Sequence, residues 1–212
     1  MNYKAVIFDL DGVICFTDKY HYLAWKKMAD SMGIYFDETI NNRLRGVSRM
    51  ESLDIILERS DKEFSQDEKQ TLAEEKNKMY VELLGQMTEK DLSFEVKKTL
   101  DTLRERGLKL AIGSSSKNAK FILERLGLKD YFDAVSDGTN ISKSKPDPEV
   151  FLKAAEFLHM APADCLVVED AKAGIEAAKT GGFDSAGLGE AAESEAVTHA
   201  MNSFGDLLGI VA

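Results

Sequence analysis

Lys4-Ala5-Val6-Ile7-Phe8-Asp9-Leu10-Asp11-Gly12-Val13 is the stretch on which the reading of this chain turns. Residues 4–8 are a short apolar run rich in β-favouring side chains, without polar alternation, and the run stops at two acids and a glycine. That pattern predicts a strand buried on both faces. The two carboxylates, Asp9 and Asp11, are two residues apart, so on extended chain they emerge on one side. Gly12 permits a turn directly behind them.

Similar runs recur downstream: 108–112, 165–168 and the shorter 134–135. Each ends in small, polar or acidic residues. Between them lie helical patterns. Val96, Leu100 and Leu103 fall at i, i+4 and i+7; Phe121, Ile122 and Leu126 mark a second face; Val150, Phe151, Ala154, Ala155 and Leu158 mark a third. Lys172–Thr180 reads as an Ala-rich helix closed by Gly181-Gly182. Strand alternating with helix predicts a Rossmann-like α/β core, a parallel sheet with helices on both faces.

Residues 16–91 differ. Helical patterning dominates there, charge is dense (DKEFSQDEKQTLAEEKNK), and no buried strand is evident. The expected organisation is an α/β core from 1–15 and 92–212, with an all-helical cap domain, 16–91, inserted after the first strand. In an open parallel sheet the ligand sits outside the carboxyl ends of the strands. The polar residues after each apolar run are therefore expected to converge, and the insert grows from the same edge.

Composition narrows the function. The chain has 212 residues and a net charge of −10, with 44% hydrophobic and 30% charged residues. A length of this order buries about 70% of the unfolded surface, so a core needs no staples. An acidic surface repels phosphate backbones and anionic lipid, which argues against nucleic-acid and membrane partners. No run approaches the roughly 18 apolar residues that span a bilayer. Two cysteines, Cys15 and Cys165, make no disulfide framework. A cytoplasmic protein, monomeric and acting on small molecules, is the expectation.

Four stations carry the chemistry. The first is Asp9 with Asp11. The second is Gly113-Ser114-Ser115-Ser116-Lys117-Asn118, whose hydroxyls and main-chain N–H groups at a helix start suit an anion; plain N-capping needs one serine of the three. The third is Lys143-Ser144-Lys145-Pro146-Asp147-Pro148, where Lys145 is either a cation on a backbone restrained by the following proline or a turn lysine at the surface. The fourth is Glu169-Asp170. Four ionised carboxylates at neighbouring strand ends repel one another, and a hard divalent cation such as Mg²⁺ resolves this by taking oxygen ligands. Carboxylates, metal, hydroxyls and a lysine together describe phosphoryl transfer. In that chemistry Asp9 is the nucleophile and Asp11 the general acid and base.

The ordered motifs DxDGV, a serine after the second strand, KPDP and ED resemble those of the haloacid dehalogenase superfamily, and span residues 5 to about 182. Within it the chain is similar to the β-phosphoglucomutase family. The shared insert features are Thr17, Tyr20-His21-Tyr22-Leu23-Ala24-Trp25, Leu44-Arg45-Gly46-Val47-Ser48-Arg49, Ser52, Lys76-Asn77 and Tyr80. The resemblance implies interconversion of β-glucose 1-phosphate and glucose 6-phosphate through a bound 1,6-bisphosphate. The alternative is a sugar-phosphate phosphatase of the same superfamily. The resemblance also implies that Asp9 and Asp170 hold Mg²⁺ by side chains and Asp11 by its carbonyl, with Glu169 in the metal set. Ser114 and Lys145 are to hold the transferring phosphate, and Arg49, Ser116, Lys117 and Asn118 the distal one. Gly46, Val47, Ser48, Ser52, Trp25 and Lys76 join the substrate-binding set. Thr17 and His21 are to support Asp11, although a lone helix histidine is otherwise a packed one. A fork-shaped guanidinium at Arg49 suits a second phosphate, which a mutase must hold while the first reacts. Two departures stand at the ends of the insert: Phe16 where an acid often precedes Thr17, and Leu92-Ser93-Phe94-Glu95-Val96 where a Pro-Gly pair is usual.

Overall fold

The computed structural model describes residues 3–44 and 47–211. They fall into two compact units, divided after Phe16 and after Met87. Residues 88–91 thus lie with the sheet unit, where the Glu89 side chain crowds Gly127.

The sheet unit is a parallel sheet of β1 (Ala5–Phe8), β2 (Lys109–Gly113), β3 (Ala134–Ser136), β4 (Cys165–Glu169), β5 (Asp184–Gly187) and β6 (His199–Ala200). The strand order is β3-β2-β1-β4-β5-β6, so the order reverses at β1. Residues 5–8 register with 109–112 on one side and 165–168 on the other. All four β1 side chains are buried, as an unalternating apolar run requires when helices cover both faces.

Those helices are α5 (Phe94–Glu105), α6 (Ala119–Arg125), α7 (Glu149–Phe157), α8 (Lys172–Thr180) and the short α9 (Leu207–Ile210). On one face Ile7, Ala111 and Val167 pack with Val150, Phe151 and Ala154 of α7 and Ala177 and Ala178 of α8. Phe8 stacks on Phe204 at 5.8 Å between ring centres. Pro148 caps α7, and α8 runs over the predicted residues.

The helical unit holds α1 (Asp18–Ser31), α2 (Glu38–Asn42), α3 (Arg49–Leu57) and α4 (Gln66–Leu84). Its own core gathers Trp25, Met28, Phe36, Ile40, Leu53 and Ile56. Capping boxes start two of the helices, Ser48 with Glu51 and Ser65 with Glu68. Each reciprocal pair satisfies two orphan N–H groups, and a cap of this kind is worth about 1 kcal/mol. No helix among the described residues is long and apolar enough to cross a membrane.

Candidate active site

Strand register brings the first and fourth stations together. Asp9 extends β1 by one rung, its N–H donating to the Val168 carbonyl at 2.9 Å. Glu169 ends β4, the neighbour of β1. Asp9 is 8% exposed and Glu169 1%. Both sit at the carboxyl end of the sheet, where the strand order reverses, the place at which parallel sheets bind ligands.

Lys145 is not a surface turn lysine. It is 7% exposed, its ammonium donates to Asp9 Oδ1 and, at 2.5 Å, to Glu169 Oε1. Its Nζ also lies 4.7 Å from the centre of the Phe151 ring. Phe151 in turn fits because Gly113 has no side chain there. Burial opposes the lysine's charge, but the two carboxylates outweigh it and hold the ammonium above its ordinary value.

Glu169 has partners other than the metal role expected of it. Oε1 accepts from Lys145, and Oε2 accepts from the N–H groups of Asp170 and Ala171 at 2.8 and 2.9 Å. Its oxygens thus anchor the lysine and shape the turn into α8. Gly174 makes this possible, because a Cβ there would overlap the Glu169 carboxylate. Gly174→Ala is accordingly expected to push Glu169 off Lys145 and lower kcat about 100-fold, the cost of an ångström-scale misplacement in an active site. Steady-state kinetics with a melting curve as folding control checks it; unchanged kcat refutes the cradle.

Asp170 leans over the turn at Gly12, whose φ of +91° and missing Cβ leave room for the Asp170 carboxylate. Burial, then the Asp9, Glu169 and Asp11 charges, raise Asp170 above the ordinary carboxylate range. Burial raises Asp9 as well, and Glu169 and Asp11 add to it, against the opposing pull of Lys145. Asp9 and Glu169 share the one ammonium of Lys145, and the charges of Asp11 and Asp170 bear on Asp9 and on each other. The donors are all hard oxygens, and their surplus negative charge fits a divalent cation such as Mg²⁺. Among the described residues no three histidine, cysteine or acidic side chains form a metal-holding group by themselves. That is compatible with Mg²⁺, which takes one or two carboxylates and completes its shell with water and phosphate.

The second station lies beside the first through the same ladder. Ser114 is 4% exposed, and its N–H donates to Ser136 of β3 at 3.0 Å. Ser114 Oγ accepts from the Ser116 N–H and Ser116 Oγ from the Asn118 N–H, both at 3.2 Å. Asn118 starts α6 without a side-chain cap, and Lys117 is exposed. The serines therefore fold the loop locally, more than a single capping serine would.

In the helical unit the expected residues divide. Lys76 is 2% exposed; its ammonium donates to His21 Nδ1 at 2.9 Å and lies 4.4 Å and 4.7 Å from the Trp25 and Tyr80 ring centres. Since Lys76 only donates, the His21 proton sits on Nε2. Burial, then Lys76 and Arg49, hold His21 well below its ordinary value, so the imidazole is neutral. His21 stacks on Tyr80, whose hydroxyl donates to the buried Thr17 at 3.0 Å. Trp25 and Ser52 are buried, Val47 is exposed, and Ser48 caps α3. Arg49 opens that helix half-buried, and burial lowers its pKa. Gly46 lies outside the described residues. Sequence reading did not identify the Phe151 platform, the Gly174 cradle or the Gly138 contact with the serine loop; only the small size of the two glycines hinted at the last two.

Fold and carboxylate–lysine cluster together define an α/β enzyme of phosphoryl transfer. The haloacid dehalogenase-like hydrolase family model matches residues 3–182, and the chain belongs to that family. A β-phosphoglucomutase of Bacillus subtilis is 46% identical over 88% of this chain and 84% of its own. A phosphorylated-carbohydrate phosphatase of Thermotoga maritima is 34% identical over 85% of this chain and 82% of its own. A crystal structure of β-phosphoglucomutase from Clostridium difficile superposes with a TM-score of 0.90 at 40% identity, covering 97% of this chain and 93% of that one.

Proposed function

We propose that this protein catalyses the β-phosphoglucomutase reaction, interconverting β-glucose 1-phosphate and glucose 6-phosphate through a phosphorylated Asp9 and a bound β-glucose 1,6-bisphosphate. The observation that carries the reading is the buried Lys145 bridging Asp9 and Glu169 at the sheet's switch point. The 46% identical mutase supports the substrate.

The free 6-hydroxyl of β-glucose 1-phosphate attacks the phosphoryl group on Asp9 while Asp11 takes that hydroxyl's proton; the bond from phosphorus to Asp9 breaks and the bisphosphate forms. In the second half, with the bisphosphate reversed in the site, Asp9 Oδ attacks the phosphorus at C1, the bond to the C1 oxygen breaks, Asp11 gives that oxygen its proton, and glucose 6-phosphate leaves with Asp9 phosphorylated again. Lys145 and Ser114 hold phosphoryl oxygens in line. Mg²⁺ would be held by the Asp9 and Asp170 side chains and the Asp11 carbonyl, with Glu169 in the same set, and would supply positive charge against those oxygens. We assign the second phosphate to Arg49, Ser116, Lys117 and Asn118, and the support of Asp11 to Thr17 and His21. We also infer a cytoplasmic monomer: both cysteines are free and buried, and a charge of −10 keeps copies apart.

Hydrolysis of phosphorylated Asp9 is the competing outcome, favoured by the 34% identical phosphatase. A panel of both glucose 1-phosphate anomers, with and without bisphosphate primer, tests the reading. Primed, β-selective formation of glucose 6-phosphate is expected; phosphate release faster than isomerisation would replace the mutase with a phosphatase. Arg49→Ala is expected to slow isomerisation about 100-fold, in line with loss of a charge-assisted fork, while Asp9 labelling by acetyl phosphate stays within about twofold. Equal losses in both assays would remove Arg49 from the second phosphate.

A further inference from the structure

The geometry points to Gly138 and Asn140 as positioning residues for the second phosphate; this rests on the assignment of that phosphate to Ser116, Lys117 and Asn118. The serine loop does not place itself. Its internal bonds, Ser116 N–H to Ser114 Oγ and Asn118 N–H to Ser116 Oγ, shape local turns only. Its place relative to the sheet comes from the segment that follows β3.

Two main-chain bonds join the segments. Ser114 N–H donates to the Ser136 carbonyl at 3.0 Å, which continues the sheet ladder, and Gly138 N–H donates to the Ser116 carbonyl at 3.1 Å, beyond the sheet. At Gly138 the two chains meet backbone on backbone. A Cβ there would overlap the Ser115 carbonyl oxygen and stand 2.8 Å from the Lys117 nitrogen. Any side chain must therefore push residues 115–117 away.

The segment that bears on them is itself stiff. Asp137 N–H donates to Asn140 Oδ1 at 2.7 Å, and Asn140 Nδ2 donates to Ser136 Oγ at 3.0 Å. Thr139 gives both its N–H and its hydroxyl to Asp137 Oδ1, at 2.8 and 2.5 Å. Ser136 and Asp137 are fully buried. Asn140 thus closes a small ring of bonds that aims the Gly138 N–H at Ser116. The contact falls on the far half of the serine loop. The main chain of Ser114, which belongs to the reacting phosphate, is held by the ladder, and the far half reaches it through the bond from the Ser116 N–H to Ser114 Oγ. The split predicts that disturbing Gly138 or Asn140 harms one phosphate and spares the other.

The test compares Gly138→Ala, Asn140→Ala and Lys117→Ala in the full-length enzyme. KM for β-glucose 1,6-bisphosphate is measured beside the rate of Asp9 labelling by acetyl phosphate. Expected is a rise in KM of about tenfold or more in all three, with labelling within about twofold, because an interaction with the second phosphate alone is lost. If Lys117→Ala raises KM and neither loop variant does, the positioning role is overturned while the proposed function stands. If Lys117→Ala has no effect, the assignment of the second phosphate fails and the inference with it. Loop variants that lose labelling as much as affinity would show general damage to the site and also overturn it. Asn140→Ala decides the matter where Gly138→Ala fails to fold.

Discussion

Asp9→Asn is expected to reduce turnover by about 10⁴-fold or more, the scale seen when a covalent nucleophile is removed, and to abolish acyl-phosphate labelling. An amide of the same shape cannot attack phosphorus. The fold should not suffer. Burial first, and then Glu169 and Asp11, push the Asp9 carboxylate toward protonation against the pull of Lys145, so removing its charge relieves a desolvation cost and a repulsion. Lys145 keeps Glu169 as a partner at 2.5 Å. Melting of the variant should therefore match or exceed that of the native protein while activity disappears. Labelling with radioactive acetyl phosphate and a thermal scan on the same preparation check both halves. A variant that still takes up label would move the nucleophile elsewhere and remove the basis of the proposed reaction.

Lys145→Met should act in the opposite sense on stability. It leaves Asp9 and Glu169, both buried, facing each other without the cation that bridges them. Breaking a buried pair from one side costs about 3–5 kcal/mol. For a chain of this size that lowers Tm by roughly 10 °C. The pH dependence follows from the charges. In the native protein the ammonium is held above its ordinary value, so its contribution is complete below the unfolded lysine pKa and is lost only in strongly alkaline solution. In the variant Asp9 loses the lysine that opposes the effect of its burial and folds most readily when protonated. Its folded pKa is raised, so stability is present at acid pH and falls as pH rises through it. The gap in Tm between native and variant protein should therefore widen from pH 5 to pH 8. Parallel melts at the two values decide it; a constant gap would mean that Lys145 stabilises by packing on Phe151 instead of by charge.

Much of this site was open to reading from the chain alone. Asp9, Asp11, Glu169 and Asp170 announce themselves because each pair ends an apolar run, and a run without polar alternation has to lie inside a parallel sheet. Lys145 was ambiguous: its proline neighbour restrains the backbone but does not say whether the side chain turns inward. Strands β5 and β6 gave almost no signal. β5 is Asp-Ser-Ala-Gly and β6 is only His-Ala, without a β-branched residue in either, and only pairing with the growing sheet makes them strands. Ser48 closes a capping box and Trp25 lies in the core of the helical unit, two structural roles that the motif does not spell out.

Residue order alone carries the local grammar: the apolar strands β1, β2 and β4, the helices, the entry of the helical insert, and the acids, hydroxyls and lysines that follow each strand. Period and punctuation act over a few residues, and they suffice for that. Which of those groups touch follows from how the strands assemble. The order β3-β2-β1-β4-β5-β6 sets Asp9 next to Glu169, and Lys145 reaches both across 136 and 24 residues of chain. The same packing turned Glu169 into the lysine's anchor and set Gly138 against the serine loop. Such pairings depend on strand register and loop path, which no hydrophobic period specifies, and on the space left where a glycine lacks a side chain.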